Sequence, residues 1–539
     1  LDDVDIIGEA NGLGDGGDIL IDGSVVSIIN GSTISVSSVS TAVDGGDAGL
    51  VNIKADAVNI SDTKLLLATR GGGVGGTLEV FATDINIDDT VIAAEAEGLG
   101  SGGDTTLRGD TIDLTNIQIN ASIKGEGQGG DIKLEGGTIT LVNPDINITA
   151  SGPGAAGDLT AEGDTFFARG TGGIFGDTQG SGVGADILLR TNATNINDIT
   201  LTSSSRGNGQ AGIININSPG GVTINNARLD SQTQGDGIGG DINIQTTSLL
   251  VAGTGSLNVS AFGSGNAGTV DIAAGTVTMG GGASLVLTAE GSGRGGALSL
   301  NAESLTLSEN ATITGSVSRD SSGSTLLVNA NTVSLTDKAK ITSNTTGSGA
   351  GGTIDINTTS FAIQGDAAIT AETLSPGNGD AGLIQIDADS FTMNGGNLIT
   401  NSLSAGAGGT VNVQATMIDI SNGGSIKSDS LGAGNGGDIN LTATESYSQV
   451  DAGVDAVTRD RGNGGTITIR APEITIGEQA VVNISALSGT GDAGEMTIAG
   501  TTITLDNSTL ATATFTQGKA GTALLSADTI TASNASILG

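Results

Sequence analysis

The 539-residue chain has no cysteine, no histidine and no tryptophan, a single tyrosine and eight phenylalanines. Each absence removes a class of chemistry. Without cysteine there is no disulfide, no thiolate nucleophile and no cysteine-based metal site. Without histidine, Ser-His-Asp catalysis and imidazole ligation are excluded. With aromatics at 2%, a core anchored on large rings is not expected. Positive charge is also scarce: 19 Lys and Arg stand against 58 Asp and Glu, a formal net charge of −39. Such a surface repels nucleic-acid phosphates and anionic lipid and attracts divalent cations or basic partners, so no nucleic-acid partner is expected. No apolar run approaches the ~18–20 residues of a transmembrane helix. The opening LDDVDIIGEANG lacks the charged-then-apolar pattern of a signal peptide, so none is expected within the sequence.

What is plentiful is glycine, 92 residues, and it is periodic. Glycine and proline together stay below the ~25–30% that marks low-complexity disorder. The segments GQGGDIKL, GIGGDINI, GSGAGGTIDI, GNGGDINL and GNGGTITI share a glycine cluster followed by alternating apolar residues. Indexed by the residue before the Asp/Thr-like position, the anchors run Gly17, Gly49, Gly76, Gly103, Gly130, Gly157, Ala185 and on to Gly465, Gly494 and Gly521. They number 19 and recur about every 28 residues. Two and four residues after each anchor stand aliphatics such as Ile132/Leu134, Ile187/Leu189 and Ile439/Leu441; only Thr105, Ala161 and Ala523 depart. A second pair follows at plus nine and plus eleven (Ile112/Leu114, Ile139/Leu141, Leu305/Leu307), and a looser third position at Ile313, Ile341 and Ile369.

A spacing of two means a strand with one buried face. Three short strands per repeat cannot bury that face alone, so each must stack on its equivalent in the next repeat. The expected fold is all-β: a right-handed parallel β-helix of about 19 coils, ~28 residues and three strands per coil. It is expected to run as one continuous body over residues 1–539, a rod of roughly 90 Å at ~4.8 Å per coil. The cluster glycines are expected to take positive φ and to pass close to neighbouring loops. A ring repeated at every coil would overpack so narrow an interior.

Asp104, Asp131, Asp158 and Asp186 follow consecutive anchors and would stack at ~4.8 Å. Like charges that close repel by roughly 0.8 kcal/mol per pair even in water. Either a divalent cation, with Ca2+ the match for all-oxygen ligands, or hydrogen bonds from turn amides must offset this. The plainer alternative is an Asx turn at the loop-to-strand junction. The likeness to nonapeptide calcium repeats is partial, because one Asp recurs per 28 residues rather than per nine. GxGxxG-like strings lack the strand-then-helix context of a dinucleotide loop, and no outward threonine array persists that would match an ice lattice.

The repeat loosens in two windows, 163–185 and 445–463, which are expected to be irregular coils. The first holds Phe166, Phe167, Arg169 and Phe175, and the second Tyr447, Asp451, Arg459 and Arg461. These eight are candidate interaction-loop residues, since departures from regularity often mark function. A β-helical polysaccharide lyase would need Arg169, Arg459 and Arg461 to line a groove containing carboxylates. Catalysis is not expected, and no cofactor other than Ca2+ is a candidate.

The recurrent GxGxGG[DT]IxI, followed by an LxL or IxI pair and an ITxS-like third strand, resembles the repeat region of large filamentous-haemagglutinin-like exoproteins, the long cyanobacterial type above all. The resemblance covers nearly the whole chain. It implies a right-handed β-helical stalk exported by a two-partner pathway, through an outer-membrane transporter, to the extracellular surface of a Gram-negative-type bacterium such as a cyanobacterium. The family's secretion domain carries NPNG- and NPNL-type motifs; this chain has only Asn143-Pro144-Asp145, in mid-repeat, so that domain is expected to lie outside it. Both ends stop in mid-pattern without polar caps. The expected function is that of an adhesin stalk or surface filament, with glycan or protein of a cell surface or matrix, or copies of itself, as partners. The alternative is a homopolymeric fibre or sheath stacking end to end.

Overall fold

The structure is a computed structural model that describes residues 1–318, 321, 323–374, 378–515 and 517–539. Among these the chain is all-β, without helix, and its strands stack in parallel as a β-solenoid of about 19 turns, roughly 28 residues apart. It divides into two compact units, Leu1–Ala274 and Gly275–Gly539.

In the first unit the repeat is plainest where strands Thr105–Thr115, Ile132–Val142, Leu159–Arg169 and Ile187–Asn197 lie side by side. Thr105 pairs with Ile132, Ile132 with Leu159, and Leu159 with Ile187. Each is a single eleven-residue strand carrying both apolar pairs, where two five-residue strands were expected. The bend between the pairs interrupts the ladder for one residue only: Gly109 pairs with Gly136, then Thr111 with Thr138. The inward residues Leu107, Ile112, Leu114, Leu134, Ile139 and Leu141 are fully buried, each contributing ~1.5–3 kcal/mol relative to exposure. In the second unit Ala297–Leu307, Thr325–Leu335 and Thr353–Thr370 repeat the arrangement.

The third strand is as regular as the others. In the first unit its centre is Ile34, Leu65, Ile92, Ile119, Ile146, Ile174 and Leu201, and in the second Ile313, Ile341, Ile369, Leu398, Ile426, Val454 and Val482, all fully buried. It looked loose because the turn before it comes in two lengths. Asp62, Asp89, Asn116 and Asn143 turn the chain with one left-handed residue each, φ 46–50°. Glu309-Asn310, Asp337-Lys338 and Glu478-Gln479 use two consecutive left-handed residues, which shifts the third strand by one position relative to the anchor. Asn and Asp tolerate this region better than other side chains.

The anchor glycines do not have positive φ at Gly103, Gly130 or Gly157. Their requirement is close approach: a Cβ on Gly130 would lie 2.0 Å from the Gly103 carbonyl oxygen, and one on Gly157 2.1 Å from that of Gly130. Their N–H groups close each turn by donating to the end of the third strand, Gly103 to Ala94 at 2.6 Å and Gly130 to Ala121 at 2.8 Å.

Rings do repeat in adjacent turns, against expectation. In the second unit Phe361 and Phe391 stack with centroids 5.1 Å apart and planes 5° from parallel. The inter-strand distance of ~4.8 Å is itself a stacking distance, so a buried phenylalanine column needs no extra room.

Candidate functional site

The aspartates after the anchors form a ladder across turns. The Asp131 N–H donates to Asp104 Oδ1 at 2.9 Å, Asp158 to Asp131 at 2.9 Å, Asp186 to Asp158 at 2.8 Å and Ile213 to Asp186 at 2.9 Å. Asp18 serves Leu50 and Asp241 serves Thr269 in the same way. The acceptor reaches the amide of the next turn rather than its own, so it is an inter-turn clasp and not an Asx turn. The like-charge strain is nonetheless present. Burial, opposed by the amide bond and reinforced by neighbouring aspartates, pushes the Asp131 and Asp158 carboxyls above their ordinary value. Among the described residues no group of three or more acidic side chains gathers to hold a metal ion. A second ladder, unforeseen in the sequence, runs in the second unit from Asn435 through Asn463 and Asp492 to the Lys519 amide.

Strands run through both windows, and each window departs from the repeat at one place. Leu159–Arg169 and Gly173–Phe175 run through the first, and Asp438–Val450 and Gly453–Asp455 through the second. The first departs from the repeat only in its turn, where Gly170 and Gly172 have φ of 102° and 108°. The second departs through a one-residue bulge opposite Ala415–Met417. Phe166 and Tyr447 are core residues, 0% and 1% exposed, and so are not interaction-loop residues. The Tyr447 hydroxyl donates to Gln449 Oε1 at 2.9 Å, and the Gln449 amide donates to the Ala452 and Val481 carbonyls. Phe167 is half-buried with the Arg169 guanidinium 5.4 Å from its ring centre, and Phe175 is half-buried. Asp451 is an exposed left-handed turn residue, φ 49°. Arg459 and Arg461 are exposed. Behind Arg459, burial first and Asp429 second push the Asp455 carboxyl up to about 6.

A concave site lies elsewhere in the first unit, on the outer side of the bend between the two apolar pairs. It has a volume of about 820 Å3 and spans five turns, from Ala55, Phe81 and Thr83 to Glu162 and Asp164. Gly109, Gly136 and Gly163 pair in register and leave its floor without side chains. A Cβ on Gly163 would fall 1.6 Å from the Gly136 carbonyl oxygen, so backbone packing dictates that bareness. One residue earlier the register sets Lys54, Phe81, Arg108, Glu135, Glu162 and Arg190 in one row.

Four of the six in that row are ion-paired, Glu135 also with Lys133 two residues before it. Arg108 meets Glu135 at 3.5 Å, Lys133 meets Glu135 at 2.5 Å, and Arg190 meets Glu162 at 2.9 Å. Lys54 sits 5.8 Å from the Phe81 ring centre. Asp110 and Asp164 border the floor at the bend itself. The sequence signal is a glycine six positions after the anchor in three consecutive repeats, each following a charged residue (Arg108, Glu135, Glu162). In the second unit the corresponding bend carries an amide row, Asn357 donating to Asn329 at 3.1 Å and Asn329 to Asn301 at 3.0 Å.

Among the described residues no helix is long and apolar enough to cross a membrane. No protein-family model, no curated protein and no solved structure matches the chain.

Proposed function

We propose that the chain is the stalk of an extracellular adhesin or surface filament, acting by contact rather than by catalysis. The observation that carries this reading is how the polar groups are used. The carboxylates aligned in rows across turns are engaged between turns, as in Asp104 through Asp186, or paired with cations, as in Glu135 and Glu162. Such a surface aligns polar side chains in rows along successive turns, which suits many weak contacts with a partner. The resemblance to filamentous-haemagglutinin-like repeats supports the same reading. The partners would be glycans or proteins of a cell surface or matrix, or further copies of the chain, and an outer-membrane transporter would export it. Treating intact producing cells with a non-permeant protease tests the proposal. The chain should be cut without lysis, and protection until the envelope is broken would overturn surface display.

A further inference from the structure

We infer that the bend groove of the first unit, from Phe81 to Asp164, is a binding site for an uncharged, extended oligosaccharide. This deepens the adhesive reading and takes from it only that the protein meets extracellular material. The groove volume of about 820 Å3 lies within the ~300–1,000 Å3 of small-molecule sites.

Three features select the occupant. First, the strands beneath the groove are hydrogen-bonded on both sides, Ile132–Val142 between Thr105–Thr115 and Leu159–Arg169. They have no free edge to which a peptide backbone could add, so recognition falls to side chains. Second, those side chains recur turn by turn in one row: the Phe81 ring, the Arg108 guanidinium and the Glu135 and Glu162 carboxylates. Repeated donors and acceptors at ~4.8 Å beside an aromatic face suit a chain of hydroxyl-bearing rings, each with polar edges and an apolar C–H face. Third, Asp110, Glu135, Glu162 and Asp164 outnumber Arg108 in the lining, and the protein carries −39 overall. An anionic polysaccharide or nucleic acid is repelled. The glycine floor lets a sugar ring approach the backbone.

Titration calorimetry of the 539-residue protein with cellohexaose, laminarihexaose and mannohexaose tests this, with polygalacturonate as the charged comparison. At least one neutral hexaose should bind and polygalacturonate should not. Phe81→Ala and Glu162→Gln should each weaken binding about tenfold, with circular dichroism unchanged, while Lys340→Ala in the second unit should leave it unaltered. Absence of binding by all three hexaoses, tighter binding of polygalacturonate, or indifference to both groove variants would overturn the assignment. Hexaose binding by a protein shielded in intact cells would remove surface display and keep the groove. A protease-accessible protein that ignores every hexaose would do the reverse.

Discussion

Asp131 works in two directions, its N–H donating to Asp104 and its carboxylate accepting from Asp158. What matters there is an acceptor, since the charge is opposed by burial and by its neighbours. Asp131→Asn keeps an acceptor and removes the charge, so it should leave stability unchanged or raise it. Asp131→Ala strands an amide and should cost about 0.5–1.5 kcal/mol. Urea midpoints of the two variants distinguish a clasp from a cation site, because a cation site would make Asn as damaging as Ala. A second residue-scale prediction concerns pH. Burial lifts Asp455 from 3.8 to about 6 and Glu372 from 4.5 to about 7. An acid with a raised folded-state pKa holds its proton more tightly when folded. Its contribution to stability is therefore full below the unfolded value and is lost as pH rises from about 4 to about 7. Asp455→Asn and Glu372→Gln should be more stable than the parent at pH 7, with the advantage shrinking toward pH 4. Midpoints at several pH values check it, and an advantage that grows on acidification would contradict it.

The strand is where sequence and structure can be compared most directly. The two apolar pairs of each long strand were readable because they keep fixed offsets from the glycine anchor, as Ile132/Leu134 and Ile139/Leu141 do from Gly130. The third strand was legible at Ile313, Ile341 and Ile369, but only as a looser position, since one or two left-handed residues precede it and its offset from the anchor varies. Phe166 and Tyr447 were misread as surface because a large ring in an aliphatic column looks like a break in the pattern. In the structure each simply takes an inward position. The groove was hidden for another reason: it depends on which residues the register aligns across turns, and Phe81, Arg108 and Glu135 are of three different types. The aromatic column carries its own prediction. A double-mutant cycle on Phe361→Leu and Phe391→Leu should give a coupling of about 0.5–1.5 kcal/mol for the stacked pair, and additive losses would show that the rings merely fill space.

At the scale of the whole molecule, each turn of a solenoid depends on its neighbours rather than on a shared centre. Excising residues 105–131 joins Asp104 to Ile132 and offers Leu78 and its neighbours an equivalent partner strand, since Thr105 pairs with both Leu78 and Ile132. The shortened chain should keep its β-type circular dichroism and unfold cooperatively; loss of structure would mean that the turns are not interchangeable. The aspartate ladder also gives the assembly an arrow. In every clasp from Asp104 to Asp186 the carboxylate belongs to the earlier turn and the amide to the later one. A finished turn thus presents side-chain acceptors to chain that has not yet been made or delivered, while the backbone bonds beside them run the other way, Thr105 donating to the Asp131 carbonyl and Ile132 to that of Asp158. Pulse-labelled hydrogen exchange during refolding should find amide protection at Asp131 no later than at Ile213. A polypeptide emerging from its amino end would then wind onto itself as it arrives, each coil serving as the template for the next.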